Sequence, residues 1–290
     1  MATDAGAPPD DLEALRRRIG DPRRWTIVLD FDGTLAPIVD HPDDATPAPG
    51  AIEAIADLAE VCEVAILSGR ALDDLEARMG TVPPNLLLVG GHGNEARRPD
   101  GSHEPLTDLD AATATLDRVE ADLLATVDTA TGWLVERKST SLAVHHRRVP
   151  QAEVAATLPR VREVLAAAAD DPPGFVLLGG KAVLELKVSG IDKGLALTWL
   201  DGQAADRATG LPDRPPTVPL VLGDDTTDED AFEVALALGG EAVLIAEEPV
   251  STNARFRLRD PARVVTLLRA VREPLGDEPS SGVVHDAWDG

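Results

Sequence analysis

The chain has 290 residues, of which 43% are hydrophobic, so it is long enough for a core domain with a smaller second domain. Its 27 Lys and Arg against 51 Asp and Glu give a net charge of −24, which argues against nucleic acid or an anionic membrane as a partner. This charge does not exclude an anionic small molecule, because a metal ion and a few lysines can dominate a small site.

Cysteine use and hydropathy indicate the compartment. The single cysteine, Cys62, lies in a predicted strand, which excludes a disulfide framework and favours a reducing compartment. No apolar run reaches the length of a membrane span, and the acidic, Pro-rich N-terminus is unlike a signal peptide. We therefore expect a cytoplasmic protein that binds neither membranes nor nucleic acid. We also expect a monomer, which no residue pattern tests.

The predicted elements alternate from the start of the chain. A short helix at 10–19 precedes strands at 25–29, 61–67 and 86–89, which alternate with helices at 51–60 and 72–79. A hairpin turn at 97–101 follows. This order favours a parallel sheet with helices on both faces.

The pattern then changes and later resumes. A helix at 106–127, strands at 133–137 and 141–147, a helix at 152–168, and strands at 175–178 and 182–188 predict an antiparallel α+β unit. The βα pattern returns with a helix at 191–200, a Pro-rich loop at 202–219, a strand at 220–222, a helix at 230–238, a strand at 242–245 and a helix at 262–271. We predict a doubly wound α/β, Rossmann-like core (20–103 and 190–272), an inserted α+β cap (104–189), and tails at 1–19 and 273–290, disordered at 1–9 and from 273.

The first strand ends in the turn Asp30-Phe31-Asp32-Gly33-Thr34-Leu35. Residues i and i+2 of an extended chain point the same way, so both aspartates share one side, and such paired charges call for a cation. This arrangement suits Asp30 as a nucleophile toward phosphorus, Asp32 as a proton donor and acceptor, and Mg²⁺ as the cation. The alternative is an acidic strand-to-turn junction with an Asx turn.

Two further motifs fit an anion. Ser68-Gly69-Arg70 lies between a strand and a helix, where a hydroxyl and free amide groups can bind a phosphate, although Ser68 could equally be an ordinary N-cap. Lys193 lies at the start of a helix and could neutralise a phosphate, although most lysines are solvated surface residues.

An acidic run follows a later strand: Gly223-Asp224-Asp225-Thr226-Thr227-Asp228-Glu229-Asp230. Asp224 lies at the carboxyl end of that strand, where doubly wound sheets bind ligands, so it is a candidate metal ligand. Thr227 and Asp230 could instead form a capping box. The roles of Asp225 and Asp228 stay open, with Asp228 as a possible further ligand.

Taken together, these four motifs resemble those of the haloacid dehalogenase superfamily of phosphatases. The amino-acid sequences of these motifs are similar to those of the trehalose-6-phosphate phosphatase family within that superfamily, and the resemblance extends over about residues 25–270. The resemblance implies hydrolysis of a small sugar phosphate, trehalose 6-phosphate, in trehalose biosynthesis, with Mg²⁺ and an aspartyl-phosphate intermediate. It implies catalytic roles for Asp30, Asp32, Ser68 and Lys193, metal binding by Asp30, Asp32 (through its carbonyl) and Asp224, and substrate binding by Gly33, Gly69 and Arg70.

The predicted cap sheet carries a pattern of its own. Alternation places Leu142 and Val144 on one face of strand 141–147, and Leu184 and Leu186 on the same face of strand 182–188. The other face is largely polar, which could be simply the solvated side of an antiparallel sheet. The resemblance implies instead that this face binds the sugar through Glu185 and Lys187, with His145 and Arg147 as further candidates. His92 and Glu95 also resemble family positions, with roles left open.

Three other functions compete with this interpretation. Another sugar phosphatase of the superfamily, of the sucrose-phosphate or glucosyl-3-phosphoglycerate type, would share the phosphate and metal motifs. A non-catalytic sugar-phosphate sensor would not need the intact Asp30 and Asp32. A receiver domain is disfavoured by the inserted cap and by a nucleophile on the first strand.

Overall fold

The structure is a computed structural model that describes residues 10–39, 41–107, 109–180, 182–209 and 216–272. Its strands are β1 (Trp25–Leu29), β2 (Glu63–Leu67), β3 (Leu86–Gly90), β4 (Glu95–Arg97), β5 (His103–Pro105), β6 (Leu134–Arg137), β7 (Ser141–His145), β8 (Phe175–Gly180), β9 (Val183–Val188), β10 (Val218–Gly223), β11 (Glu241–Ile245) and β12 (Phe256–Leu258). Its helices are α1 (Leu12–Ile19), α2 (Ala51–Ala59), α3 (Leu72–Met79), α4 (Asp110–Thr126), α5 (Gln151–Ala167), α6 (Lys193–Thr209), α7 (Glu229–Ala237) and α8 (Pro261–Arg272). The disordered ends predicted at 1–9 and from 273 lie outside the described residues.

Internal contacts divide the chain into two compact units. The first comprises the described residues of Met1–Ala65, Thr81–Leu86 and Asp201–Gly290, and the second those of Ile66–Gly80 and Leu87–Leu200. The division passes through β2 and between the two ends of α6. It therefore does not test the predicted boundaries of core and cap, which stay predictions.

The first unit is built on a parallel sheet. Its strands follow the order β12-β11-β10-β1, and each neighbouring pair is parallel. All five residues of β1 are buried, as are all five of β11, and all of them except Thr26 and Glu241 are apolar, as is typical of parallel strands covered on both faces. Helix α7 packs against β10 and β11, while α8 packs against α1 and α2. The predicted α/β class is confirmed.

The second unit contains a separate antiparallel sheet in the order β6-β7-β9-β8, together with the antiparallel strands β3, β4 and β5. Helices α4 and α5 pack against each other, and α4 also packs against β6 and β7. Leu142, Val144, Leu184 and Leu186 are buried in this unit's core, so the predicted alternation on the covered face is confirmed.

Several predicted elements end elsewhere, and strand β8 continues to Gly180 rather than ending at 178. Helix α6 continues to Thr209 rather than ending at 200, because the residues after Gly202 include three alanines and no proline up to Thr209. Strand β7 ends at His145, two residues earlier than predicted, and the chain turns at Arg147. Within the described residues, no helix combines the length and apolar character needed to cross a membrane.

Candidate active site

Three carboxylates meet at the carboxyl ends of the parallel strands in the first unit. Asp30 follows β1 and Asp224 follows β10, and these strands are neighbours, with Leu29 opposite Leu222. Asp228 comes from the residue before α7. One carboxylate oxygen from each lies within 4.8 Å of the others, and Asp30 and Asp228 are buried. The predicted pairing of Asp30 with the acidic run therefore exists in the fold.

Asp228 also holds the loop that carries Asp224. Its Oδ2 accepts hydrogen bonds from the backbone N–H groups of Asp224 (2.9 Å) and Asp225 (3.1 Å). A Cβ atom at Gly223 would lie 2.2 Å from the Asp228 carboxyl carbon, so this close approach needs glycine. The sequence singled out Asp224 and left Asp228 open, because only the folded turn directs its carboxylate back along the loop.

The capping box considered for Thr227 and Asp230 is wrong. The Thr227 hydroxyl donates instead to Asp225 Oδ1 at 2.7 Å, and the Thr227 amide donates to the same oxygen at 2.6 Å. Asp225 is thus the acceptor of a local Asx turn and is exposed. Its carboxylate serves this turn and does not belong to the group formed by Asp30, Asp224 and Asp228.

Gly33 lies against Asp224. Its φ of +78° is in the left-handed region, and a Cβ atom there would lie 1.9 Å from Asp224 Oδ2, so a side chain would displace a candidate ligand. Asp32 is half-buried and forms a parallel bridge with Ala36. Its carboxylate is not one of the three grouped above, and a metal contact through its carbonyl stays a prediction.

The three grouped carboxylates fit a hard divalent cation. Carboxylate oxygens are the ligands that Mg²⁺ and Ca²⁺ prefer, and gathering negative charges in a buried place is costly unless a cation or protons compensate them. Two of the three residues are almost completely buried, at 6% exposure for Asp30 and 1% for Asp228. The donor set is therefore compatible with a metal site.

The Ser68–Arg70 loop belongs to the second unit. Ser68 is 1% exposed, its amide donates to Val89 O (2.9 Å), and its hydroxyl accepts from the Arg70 amide at 3.2 Å. The N-cap residue of α3 is Ala71, so the alternative that Ser68 is the ordinary N-cap is wrong. The loop is a separate turn ahead of the helix.

Charged side chains tie this loop to the start of α3. The Arg70 guanidinium pairs with Asp74 at 2.7 Å, and Arg78 pairs with the same carboxylate. Burial opposes the charged form of Asp74, but hydrogen bonds from Arg78 and Arg70 outweigh it and hold its pKa below the usual value. Glu95 Oε1 accepts from the Leu72 amide at 3.1 Å and so satisfies the first turn of α3.

Lys193 is the first residue of α6 and is only 4% exposed. The alternative of a solvated surface lysine is therefore wrong. The neighbouring Asp192 caps the helix, since its Oδ1 accepts from the Leu195 amide at 2.8 Å. A buried ammonium at a helix start is expensive unless it meets negative charge, which agrees with the predicted anion-binding role.

His92 lies beside these groups in the second unit. Burial, then the charges of Lys187, Lys193 and Lys138, lower the pKa of His92 to about 4, against a smaller opposite effect of Glu185. The imidazole is therefore neutral at pH 7. Sequence reasoning missed Lys138, although a signal existed: the chain has four lysines, and they lie at 138, 181, 187 and 193.

The face of this unit's antiparallel sheet that lies opposite its hydrophobic core carries the predicted sugar-binding residues. The Ser141 hydroxyl donates to Glu185 Oε1 at 2.6 Å, and Lys138 Nζ lies 3.7 Å from the same oxygen. Ser141 is the cross-strand partner of Lys187. Glu185 and Lys187 thus lie with Lys138 and Ser141, and Ser141 could have been found only from the strand register.

The further candidates His145 and Arg147 differ from each other. His145 Nε2 lies 2.8 Å from Glu136 Oε2. Arg147 is exposed in the turn after β7, so the expectation that it shares the sheet face with His145 is wrong, since alternation ends where the strand ends. The face is also less polar than expected, because Leu134, Val176 and Leu178 are exposed on it.

Comparisons with known proteins agree with the motifs. A trehalose-phosphatase family profile matches residues 28–262. The trehalose-phosphate phosphatase of Mycobacterium marinum is 38% identical over 261 residues, which are 88% of this chain and 64% of the relative. That of Mycobacterium tuberculosis strain H37Rv is 36% identical over 277 residues, which are 93% of this chain and 67% of the relative. The chain therefore spans about two thirds of the length of these relatives.

A solved structure is similar over nearly its whole length. The Aspergillus fumigatus trehalose-6-phosphate phosphatase has 27% identity and a TM-score of 0.66, with 92% of this chain and 99% of that chain covered. The matching profile spans well over half of the residues and includes both Asp30 and Asp224. This chain belongs to the trehalose-phosphatase family.

Proposed function

We propose that this chain is a phosphoric monoester hydrolase that converts trehalose 6-phosphate to trehalose and phosphate, with Mg²⁺ as its metal. The observation that carries the proposal is the cluster of Asp30, Asp224 and Asp228 in a chain of the trehalose-phosphatase family. The mycobacterial relatives are named trehalose-phosphate phosphatases, which supports the choice of substrate over other sugar phosphates.

The first half-reaction transfers the phosphoryl group to the protein. A carboxylate oxygen of Asp30 attacks the phosphorus, and the bond from phosphorus to the sugar oxygen breaks. Asp32 donates its proton to that oxygen, so trehalose leaves as a neutral alcohol. The product of this step is an aspartyl-phosphate on Asp30.

The second half-reaction restores the carboxylate. Water attacks the phosphorus of the aspartyl-phosphate, Asp32 accepts a proton from it, and the bond to Asp30 breaks to release phosphate. Asp30, Asp224 and the Asp32 carbonyl would hold Mg²⁺, with Asp228 supporting them. When bound, the ion neutralises negative charge on the phosphoryl oxygens.

The remaining predicted residues bind the substrate. Ser68 and Lys193 bind the phosphoryl group, which a buried lysine and a buried hydroxyl suit well. Gly33, Gly69 and Arg70 complete the loops around it. Glu185 and Lys187, with His145, bind sugar hydroxyls, and Arg147 is proposed as an outer contact because it is exposed.

The test is phosphate release from a panel of esters with and without Mg²⁺: trehalose 6-phosphate, sucrose 6-phosphate, glucose 6-phosphate, glucosyl-3-phosphoglycerate and p-nitrophenyl phosphate. We expect a strong preference for trehalose 6-phosphate that EDTA abolishes and added Mg²⁺ restores. Preference for another ester would overturn the substrate while keeping the chemistry. No release from any ester would favour a sugar-phosphate sensor.

We also propose that the protein is a cytoplasmic monomer. The single cysteine, which is buried, agrees with a reducing compartment. Size-exclusion chromatography with light scattering would test the oligomeric state, and a mass near 61 kDa, which is 2 × 30.5 kDa, would contradict it.

A further inference from the structure

The His92 side chain has no part in the reaction steps of the proposed function, yet the backbone conformation of this residue is unusual. Gly91, His92 and Gly93 have φ values of 58°, 58° and 105°, so three consecutive residues are left-handed. Glycine adopts this region freely, but a histidine there is strained and persists only where its surroundings hold it. The turn therefore holds a histidine at a position where glycine would be unstrained.

Backbone hydrogen bonds tie this turn to the Ser68–Arg70 loop. The His92 amide donates to Ser68 O at 3.0 Å, and the Gly91 amide donates to Arg70 O at 2.7 Å. On its other side the turn lies close to α6, since a Cβ atom at Gly93 would come within 2.7 Å of Asp192 O. The turn therefore connects the loop after β2 to the start of the helix that carries Lys193.

The His92 ring lies on Gly69. A Cβ atom at Gly69 would be 2.5 Å from His92 Cε1, 2.8 Å from Nε2 and 3.1 Å from Nδ1, so the ring covers the space that a side chain at 69 would need. The ring thus packs directly on the backbone between Ser68 and Arg70. A displacement of the His92 ring would therefore displace the backbone at Gly69, because the two are close-packed.

Burial lowers the pKa of the His92 ring most, and the charges of Lys187, Lys193 and Lys138 lower it further, so the ring is neutral. A neutral ring adds no positive charge that would draw an anion toward itself and away from the loop. Its Nδ1 is buried without a hydrogen-bond partner among the described residues.

We propose that His92 is the positioning residue of the phosphoryl-binding loop. Its ring, held against Gly69, fixes the Ser68 hydroxyl and the amide groups of Gly69 and Arg70 in the geometry that receives the phosphoryl oxygens. The proposal rests on the proposed function in one respect, namely that this loop binds the phosphoryl group.

A double-mutant cycle tests the contact. His92→Gly removes the ring and keeps the left-handed backbone, while Gly69→Ala inserts a methyl group against the ring. We expect each change to lower kcat/KM for p-nitrophenyl phosphate by about 100-fold, as misplaced binding groups do. The double variant should lose about the same 100-fold, because residues in contact are not independent. A loss near 10⁴-fold, the product expected for independent sites, would overturn the proposal.

Further readouts separate positioning from general damage. Added imidazole should restore part of the activity of His92→Gly and none of that of Gly69→Ala. The inhibition constant of orthovanadate should rise in parallel with the loss, while the Mg²⁺ activation constant and Tm stay within error of the parent protein. His92→Asn, which tolerates the left-handed backbone and keeps a polar group, should lose less than His92→Gly.

The matched control is Asn85→Gly, which relaxes another left-handed residue, at φ 70°, and should leave the kinetics unchanged. A lower Tm of His92→Gly together with no rescue by imidazole would overturn the proposal. Activity of His92→Gly within twofold of the parent protein would also overturn it. If the parent hydrolyses none of the phosphate esters, the proposed function fails. Binding of inorganic phosphate, measured by calorimetry, then still decides: weaker binding to His92→Gly supports the role of His92, and equal binding overturns it.

Discussion

The two units of the chain gather opposite charges. The first brings together the carboxylates of Asp30, Asp224 and Asp228, which suit a cation. The second directs Lys138, Lys187 and Lys193 at a neutral histidine, and one of these lysines is almost fully buried. The net charge of −24 does not predict the local electrostatics of either cluster. Short-range interactions at low dielectric outweigh those with distant charges, which solvent and salt screen.

This difference indicates that the two clusters have separate roles in the proposed reaction. Carboxylates grouped in this way supply a nucleophile and metal ligands, whereas grouped lysines supply binding energy for an anion. Changes to the three grouped carboxylates should therefore act on turnover and on the metal requirement. Changes to the grouped lysines should act on substrate binding and leave the metal requirement alone. Variants of Asp30, Asp228 and Lys187 test this separation.

The largest effect is expected for Asp30→Asn. The amide cannot form the aspartyl-phosphate, so phosphate release from trehalose 6-phosphate should fall by about 10⁴-fold or more, as it does when other covalent nucleophiles are removed. Asp225→Asn is the matched control, since its side-chain oxygen can still accept in the Asx turn, and it should keep full activity. Turnover that survives Asp30→Asn would sink the mechanism.

A smaller loss is expected for Asp228→Asn. The amide oxygen can still accept the hydrogen bonds from Asp224 and Asp225, but one negative charge is gone. We expect about a 10- to 100-fold loss of activity with a raised Mg²⁺ activation constant and little change in Tm. Asp228→Ala removes the acceptor too and should also lower Tm. An unchanged Mg²⁺ requirement in both variants would remove Asp228 from the metal site.

Lys187→Met tests the second unit. We expect KM for trehalose 6-phosphate to rise by about tenfold with kcat and the Mg²⁺ requirement little changed, since one charge-assisted contact is lost. The pKa of His92 should rise from about 4, because Lys187 is the largest of the charges that lower it. Titration by ¹⁵N NMR measures this shift. Arg160→Met removes an exposed cation from the same unit and should change neither quantity.

The smallest effect is expected outside both clusters. Hydrogen bonds from Arg263 hold the pKa of Asp10 below its usual value of 3.8. The resulting stability is fully present above that value and is lost as pH falls through the lower folded-state pKa. Asp10→Asn should lower Tm by about 1–3 °C at pH 6. The difference from the parent should shrink below pH 4 without a change in kcat/KM at pH 7, and a constant difference across this range would contradict the assignment.

Much of the fold follows from local patterns. The strands that precede Asp30 and Asp224 are continuous apolar runs, because parallel strands are buried on both faces. The alternation in β7 and β9 separates Leu184 and Leu186 from Glu185 and Lys187. Both patterns depend on neighbouring residues alone, so they can be found without a structure.

Predictions from the local sequence were wrong where the same residues can form two different local structures. Thr227 can cap a helix or close an Asx turn, and the turn formed because Asp225 lies within reach of both its amide and its hydroxyl. In the sequence, Arg147 continues the alternating pattern of β7, but in the structure the strand ends at His145. Helix α6 passes Gly202 because a single glycine weakens a helix without ending it.

The sequence by itself determined which chemical groups stand at the ends of which strands: two aspartates after the first, a serine after the second, and an acidic run after a late one. The tertiary structure decided which of them act together. It brought Asp228 to Asp30, buried Lys193, and both buried His92 and set Lys138 and Lys187 near it, which together lower the pKa of its ring. The reason is physical: Coulomb energy and desolvation depend on distances in space between residues far apart in the chain, and no local period encodes those distances.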